Sequence, residues 1–156
     1  MRWLVLLMVS VAAAHADPCP SDTAIVIATA AHRMTLCEGG RAVHEYQVAI
    51  GGGGVGKQRE GDRKTPLGSY SLAAPRESVN FHQFIEIGYP TREQHDRGFT
   101  GSAVGIHGPS RKHAWLGALR NYVDWTDGCV AVSSDDAIDE VAAWAARAQP
   151  GRVVIE

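Results

Sequence analysis

The chain has 156 residues, of which 45% are hydrophobic and 21% are charged, and its formal net charge is −2 at pH 7. This length and composition fit one globular domain with its own core. The slightly acidic balance and the lack of any basic run exclude the common nucleic-acid-binding proteins and proteins that bind membrane surfaces through cationic patches.

The first sixteen residues, MRWLVLLMVSVAAAHA, are typical of a secretory signal peptide. Arg2 precedes an apolar run, and Ala14 and Ala16 are small residues at the two positions that a signal peptidase reads. The run is too short to span a bilayer, and no other segment reaches about 18 apolar residues. A buried N-terminal helix is the alternative, but no cap or amphipathic period accompanies the run. We expect residues 1–16 to be removed on export, leaving one domain, 17–156, with no membrane span.

Short strands separated by glycine-rich turns dominate the middle of the chain. Residues 24–29 are apolar, and residues 33–37 and 42–50 alternate around a turn, which predicts a hairpin. Glycines at 51–54 and 56 then predict a flexible loop. Further strands are predicted at 69–73, 84–89, 104–107 and 129–132.

One helix has clear start and stop signals near the end of the chain. Ser133 or Ser134 is a natural N-cap, and two aspartates follow in the first turn, where they favour the helix dipole. Apolar residues recur at helical spacing at Ile138, Val141, Ala142 and Ala145. Pro150-Gly151 ends this helix, and residues 152–155 form a last strand. Many short strands and one clear helix predict a mostly β fold.

The three cysteines matter because an exported protein meets an oxidising compartment. A bridge between Cys19 and Cys37 would tie the first residues to an early strand and stabilise the fold by about 3 kcal/mol in the loop-entropy picture. Cys129 would then be a free thiol, which is a liability in an exported protein unless it has a function. The alternative is that Cys129 pairs with one of the other two.

Cys129 lies in a setting that suits a nucleophile. Cysteine catalysis needs a base to take the thiol proton and donors to stabilise an oxyanion. Gly128 allows close approach of a substrate, and the amides of the helix that begins nearby favour negative charge. Among the histidines, His107 stands out because it ends the short apolar strand 104–107 and precedes Gly-Pro. If that strand pairs with 129–132, His107 meets Cys129; a purely structural histidine is the alternative.

These segments resemble the L,D-transpeptidase catalytic domain, or YkuD-type, family of bacterial cell-wall enzymes. The family motif is His-Gly, a spacer and then Ser/Thr-His-Gly-Cys, and the chain has IHG at 106–108 and TDGC at 126–129. Upstream and downstream segments also resemble the family in order and spacing, namely YQVAIGGGG, GDRKTPLGSYSL, IEIGYPT and AIDEVAAWAARAQPGRVVIE. The resemblance covers residues 22–156, and DWTxGCxAV is similar to the motif of a subgroup.

The resemblance implies a mostly β sandwich or barrel with one or two short helices, and acyl transfer on peptidoglycan stem peptides. Cys129 would attack the carbonyl after the third stem residue, release D-Ala and form a thioester. His107 would be the base, and the Gly108 carbonyl would orient it. The amides of Gly128 and Cys129 would stabilise the oxyanion. No metal or organic cofactor is expected.

Two residues depart from the family pattern. Asp127 replaces the motif histidine, and its carboxylate would raise the thiol pKa unless it pairs with a cation. Ala131 stands where an Arg or Asn that helps to hold substrate is common. Arg111 is a candidate replacement, because arginine binds carboxylates in bidentate fashion, although a solvated surface charge is the alternative. Asp127 and Thr126 are further candidates for substrate binding, although Thr126 also simply suits a strand. The aromatic candidates, for which core packing is the alternative, are Trp115, Tyr122 and Trp125.

The sequence therefore predicts a monomeric L,D-transpeptidase in the periplasm or cell wall. An L,D-carboxypeptidase or a wall amidase would use the same cysteine, since the choice depends on whether an amine or water meets the thioester. A third hypothesis is a non-catalytic wall-binding module, which the departures at Asp127 and Ala131 favour.

Overall fold

The computed structural model describes residues 19–112, 115, 119 and 123–156. The predicted signal peptide and Tyr122 lie outside the described residues. Two helices, α1 (Arg92–Asp96) and α2 (Asp135–Ala148), accompany the strands. The strands are β1 (Ala24–Ala28), β2 (Arg33–Glu38), β3 (Arg41–Ala49), β4 (Gly68–Tyr70), β5 (Arg76–Ser78), β6 (His82–Glu86), β7 (Gly105–His107), β8 (Val130–Val132) and β9 (Arg152–Ile155).

The described strands form one curled nine-stranded sheet, a half-barrel, in the order β4-β9-β1-β2-β3-β8-β7-β6-β5. The predicted hairpin is β2–β3, which turns at Gly39 and Gly40, both with positive φ. The C-terminal strand β9 returns to pair in parallel with β1, so the two ends of the domain meet in the sheet. The predicted mostly β fold, with a final helix followed by a strand, is confirmed.

Helix α2 covers the sheet with the predicted apolar stripe. The Ser134 hydroxyl accepts the Ala137 amide and caps the helix. Ile138, Val141 and Trp144 are buried in the main core, which also contains residues of β1, β2, β7 and β9. The helix therefore fixes one face of the sheet near β6, beside the strands that carry the motif residues.

Two short elements were not predicted, α1 and β5. Helix α1 consists of five polar residues and has no apolar period, but a capping box between Thr91 and Gln94 closes its first turn. Strand β5 is three residues at the edge of the sheet, where it pairs only with β6. Neither element contributes a side chain to the site described below.

Cys19 and Cys37 form a disulfide, as predicted, and Cys129 is free. Cys37 is fully buried in β2, so the bridge fastens the start of the described chain to the core sheet. Within the described residues there is no helix of sufficient length and apolarity to cross a membrane.

The glycine loop at 51–54 is firmly packed, so the prediction of a flexible loop is wrong. The Gly51 amide donates to Thr65 Oγ1 at 2.8 Å, and the Gly53 amide donates to the Arg63 carbonyl at 2.8 Å. A Cβ on Gly51 or Gly53 would collide with the backbone of residues 62–65. The glycines are needed because two backbone segments lie in contact, and that contact brings residues 57–65 to the cysteine.

Candidate active site

The parallel pair β7–β8 brings the two motif segments together. Ile106 pairs with Val130 and His107 with Ala131, so the condition for bringing His107 towards Cys129 is met. Cys129 directly precedes β8, and the Gly105 amide hydrogen-bonds its thiol. Continued by one residue, the same register places Cys129 beside Gly105, two residues before His107.

His107 is buried, and its ring is held in one orientation. Nδ1 lies 2.7 Å from the carbonyl oxygen of Gly108. Since a carbonyl only accepts, Nδ1 carries the proton of the neutral ring and Nε2 carries the lone pair. This contact is the one that the family resemblance implied for Gly108. The geometry leaves Nε2 as the atom able to take a proton.

Aromatic rings surround the imidazole. Phe81 stacks on it with ring centroids 3.9 Å apart, and Phe84 and Trp125 lie at 6.0 and 5.8 Å. Burial among these rings lowers the pKa of His107 to about 4, although the hydrogen bond to Gly108 opposes the shift. The imidazole is therefore neutral at pH 7, the form required of a general base.

Cys129 is half-buried, and its thiol donates to the Ala103 carbonyl at 3.7 Å. Burial raises its pKa to about 11. The Gly105 amide and the Lys57 charge favour the thiolate, whereas the carboxylates of Asp127 and Glu86 oppose it. Thiol and imidazole are thus both neutral at rest, so the thiol proton would have to move to the imidazole as the sulfur attacks.

Thr126 holds the cysteine loop in shape. Its buried hydroxyl donates to the Cys129 carbonyl at 2.7 Å and accepts the Gly128 amide at 3.2 Å. Its backbone also bonds to the backbone of Ile50 and Gly52. The expected substrate contact at Thr126 does not hold, because the side chain is only 3% exposed and is used within the protein.

The Gly128 amide donates to Thr126 Oγ1 at 3.2 Å, so its predicted oxyanion role would compete with this hydrogen bond. Gly128 is nevertheless required for the loop. Its φ of +128° is in the region that favours glycine, and a Cβ would lie 2.6 Å from the carbonyl oxygen of Lys64. The Cys129 amide stays the predicted oxyanion donor.

Asp124 braces the same loop from the other side. Its carboxylate lies 3.0 Å from His32 Nε2 and accepts the Ile50 amide at 3.0 Å. Together with Thr126, it ties residues 124–129 to the end of β3 and the glycine loop. The local conformation around Cys129 is therefore set by hydrogen bonds on both sides of the motif.

Cys129 opens into a groove of about 470 Å³ whose wall is charged. The groove is lined by residues 101–104, Gly61 and four charged residues, Lys57, Glu60, Arg63 and Asp127. Sequence reasoning did not single out Lys57, Glu60 or Arg63. The available signal was the charge-rich segment GKQREGDRK between the glycine loop and the Thr-Pro turn.

The segment 57–64 is folded around Asp62. One carboxylate oxygen bonds Lys57 Nζ at 2.9 Å and the Lys64 amide, and the other accepts the amides of Gln58 and Arg59. Burial raises the pKa of Asp62, but these hydrogen bonds outweigh it and hold the pKa well below the ordinary value. Lys57 is itself buried, so the groove has a rigid charged floor.

Asp127 pairs with a cation, and that cation is Arg63. Arg63 Nε lies 3.2 Å from Asp127 Oδ1, and the Asp127 side chain is 92% exposed. The Asp127 charge raises the pKa of Cys129, but less than burial does. The departure from the motif histidine thus leaves an exposed ion pair at the rim of the groove.

The remaining predicted substrate contacts are dispersed. Arg111 lines two other grooves, one with Ser134 and one with His82, and is not among the residues that line the Cys129 groove. Trp115 is 79% exposed, and Trp125 packs beside His107. Ala131 is buried and pairs with His107 on one side and Ala49 on the other.

In the part of the chain that the structure describes, no three His, Cys, Asp or Glu side chains converge as metal ligands would.

The chain is similar to known proteins in sequence and in fold. Residues 22–155 match the family described as YkuD, L,D-transpeptidase catalytic domain. No curated protein sequence matches the chain. The solved structures of similar fold include Pgp2, a helical cell shape determining protein from Campylobacter jejuni (TM-score 0.65, 23% identity, covering 85% of this chain and 46% of that chain).

Two further structures share the fold. Bd1075 from Bdellovibrio bacteriovorus has a TM-score of 0.60 at 19% identity and covers 87% of this chain and 48% of its own. An L,D-transpeptidase from Xylanimonas cellulosilytica has a TM-score of 0.55 at 16% identity and covers 90% and 63%. The chain spans about half the length of the first two structures. The family match covers nearly all of the described residues, and the chain belongs to the L,D-transpeptidase catalytic domain (YkuD) family.

Proposed function

We propose that this protein is a cysteine acyltransferase that acts on peptidoglycan stem peptides as an L,D-transpeptidase. The observation that carries the proposal is the parallel pairing of β7 and β8, in which His107 ends β7 and free Cys129 directly precedes β8. The hydrogen bond from Nδ1 to the Gly108 carbonyl supports His107 Nε2 as the base. This supports a nucleophile and base acting together.

In the first half-reaction, Cys129 Sγ attacks the carbonyl carbon after the third stem residue while His107 Nε2 takes the thiol proton. The carbonyl π electrons move to oxygen, and the Cys129 amide stabilises the resulting oxyanion. The oxyanion collapses and the C–N bond to D-Ala breaks, and His107 gives its proton to the leaving amine. A thioester on Cys129 and free D-Ala result.

In the second half-reaction, an amine of another stem attacks the thioester carbon. His107 Nε2 takes a proton from the amine, a new amide bond forms, and the C–S bond breaks. The proton returns to sulfur, which restores the neutral pair. Because both groups start neutral, each transfer accompanies bond formation and needs no ion pair beforehand.

Hydrolysis of the same thioester is the second candidate, giving an L,D-carboxypeptidase or a wall amidase. The charged wall of the groove favours this candidate, because Glu60, Arg63 and Asp127 are polar groups that attract water to the side of Cys129. Pgp2, which shares the fold, is described as a cell shape determining protein. A role in cell shape is a proposal for this chain through either reaction.

We further propose that the protein works outside the cytoplasm, in the periplasm or cell wall. Residues 1–16 have the composition of a signal peptide. The bridge between Cys19 and Cys37 also supports an oxidising compartment.

The test uses the exported protein incubated with a disaccharide tetrapeptide and analysed by mass spectrometry. Cross-linked dimers indicate transpeptidation, and trimmed tripeptide indicates hydrolysis. Intact mass after exposure to a carbapenem reports thioester-type acylation of the thiol, with Cys129→Ala as the control that should gain no mass. Neither product nor acylation, with binding to purified wall retained, would identify a non-catalytic wall-binding module and overturn the proposal.

A further inference from the structure

Two cations in the Cys129 groove, Lys57 and Arg63, have no part in the reaction proposed above. Their position matters because the scissile bond of a tetrapeptide donor is followed by a single D-Ala. The carboxylate of that residue is only a few bonds from the carbon that Cys129 attacks. A cation beside the thiol would therefore meet the negative charge of the leaving residue.

Lys57 is already neutralised within its own segment. Its Nζ is 2.9 Å from Asp62 Oδ1 and 3.1 Å from the Arg59 carbonyl oxygen, and the residue is only 5% exposed. Two of its three N–H groups thus have partners inside the protein. Its charge is matched by Asp62, so we assign Lys57 to holding the floor of the groove.

Arg63 is arranged differently. Its side chain is 53% exposed, and its partner Asp127 is 92% exposed. An ion pair this open to water is weak, and a substrate carboxylate competes with Asp127 or joins it at the guanidinium. The contact to Asp127 uses Nε, whereas the two Nη groups form the end of the fork that binds carboxylates in bidentate fashion.

The guanidinium also packs against the glycine loop. It lies against Gly52, where a Cβ would be 2.5 Å from Nη2, so the absence of a side chain at Gly52 makes room for it. The backbone of Arg63 has φ of +57°, in the left-handed region that glycine and asparagine adopt most easily. The chain keeps a long cationic side chain at a position where its backbone is strained, on the wall of the groove that also contains Cys129.

We infer that Arg63 recognises the C-terminal carboxylate of the donor stem, with Asp127 as the positioning residue for its guanidinium. The inference deepens the proposed function and rests on it. It gives Arg63 the task that sequence reasoning assigned to Arg111, which lies outside this groove. The protein should accordingly select donors that end in a free carboxylate.

The test compares two donors, a tetrapeptide stem ending in D-Ala and the same stem ending in D-alaninamide. Release of D-Ala or D-alaninamide is followed by mass spectrometry to give kcat/KM for each donor. The wild type should prefer the free acid by about tenfold or more, the scale of a lost charge-assisted hydrogen bond. Arg63→Gln should lower that ratio to near one, mainly through a higher KM for the acid.

Two controls separate recognition from damage. Lys64→Gln removes the neighbouring exposed charge, which does not line the groove, and should leave the ratio unchanged. Arg63→Asn suits the left-handed backbone and serves as a second neutral variant if the Gln variant folds poorly. The rate of Cys129 alkylation by iodoacetamide, a neutral reagent, should be the same in all of these variants.

The outcomes distinguish this inference from the proposed function. Turnover of both donors with no preference in the wild type, or an unchanged preference in both Arg63 variants, would overturn the role of Arg63 while the acyl-transfer proposal stands. Turnover of neither donor by the wild type would overturn the acyl-transfer proposal and the role of Arg63 with it.

Discussion

The two flanks of Cys129 have opposite physical characters. On the β7 side, His107 is buried among Phe81, Phe84 and Trp125 and is neutral at pH 7. On the other side, the segment 57–64 and Asp127 form a charged wall that is open to solvent. A dry aromatic flank suits proton transfer between neutral groups, and a charged flank suits recognition of a charged peptide. Chemistry and specificity should therefore respond to different substitutions.

The largest expected effect is on the aromatic flank. His107→Gln keeps much of the volume but removes the base, so the rate of Cys129 acylation by a donor stem should fall by about 10²- to 10⁴-fold. Time-resolved intact mass measures the rate. Alkylation by iodoacetamide should persist, since the thiol itself stays in place. Undiminished acylation would mean that another group takes the thiol proton. The aromatic flank would then not be the one that carries the chemistry.

The pH dependence tests whether this flank starts neutral. With pKa values of about 4 for His107 and about 11 for Cys129, kcat/KM should be flat between pH 6 and 9, with its acid limb well below the ordinary histidine pKa of about 6.5. Iodoacetamide alkylation should keep rising above pH 9 as thiolate forms. An alkylation rate that is already at its plateau by pH 7 would show a preformed thiolate–imidazolium pair instead.

The same shift has a consequence for stability. An unfolded histidine takes up a proton below about pH 6.5, whereas His107 stays neutral in the folded protein until about pH 4. The unfolded state therefore binds more protons in this window, and the free energy of unfolding should fall by up to about 3 kcal/mol between pH 6.5 and 4. Urea denaturation should show a smaller fall in His107→Gln, and an equal fall in both proteins would contradict the burial of the neutral ring.

The sequence predicts the aromatic flank of Cys129 better than the charged flank, because the two flanks depend on different kinds of contact. Strands β7 and β8 are short apolar runs, and a pairing between them directly predicts that His107 and Cys129 meet. The position of Arg63 depends on the packing of the glycine loop against residues 62–65, which is a contact between backbones. Local composition predicts a flexible loop there, because glycine permits both freedom and close approach.

Two details of the motif also depend on three-dimensional contacts. From sequence alone, a lysine is expected to be a solvated surface charge. The hydrogen bond to Asp62 and the low exposure show instead that Lys57 is buried. Likewise, Gly128 in the motif predicts an oxyanion donor, whereas the Thr126 hydroxyl accepts its amide. The family motif identifies the residues that take part, and their hydrogen-bond partners decide what each contributes.

Substitution of Thr126 tests how far the conformation of the cysteine loop depends on its hydroxyl. Thr126→Val removes the bonds to the Cys129 carbonyl and the Gly128 amide, leaving buried polar groups unpaired. The free energy of unfolding should fall by about 1–3 kcal/mol, and acylation should slow as Cys129 loses its position. Thr126→Ser keeps the hydroxyl and should retain most of both properties, so equal losses in the two variants would assign the role to the methyl group instead.

The smallest expected effect belongs to Asp127, and its direction depends on the reagent. Asp127→Asn removes a negative charge that raises the pKa of Cys129, so the thiol should react slightly faster with neutral iodoacetamide. The same change removes the ion pair that holds the Arg63 guanidinium. Because exposed ion pairs contribute about 0–1 kcal/mol, KM for a donor with a free carboxylate should rise by only a few-fold. Parallel changes for both reagents would show that Asp127 acts on the thiol alone. A loss of tenfold or more for the donor alone would show that Asp127 contacts the substrate itself, and the charged flank would then recognise peptide through its carboxylate as well as its guanidinium.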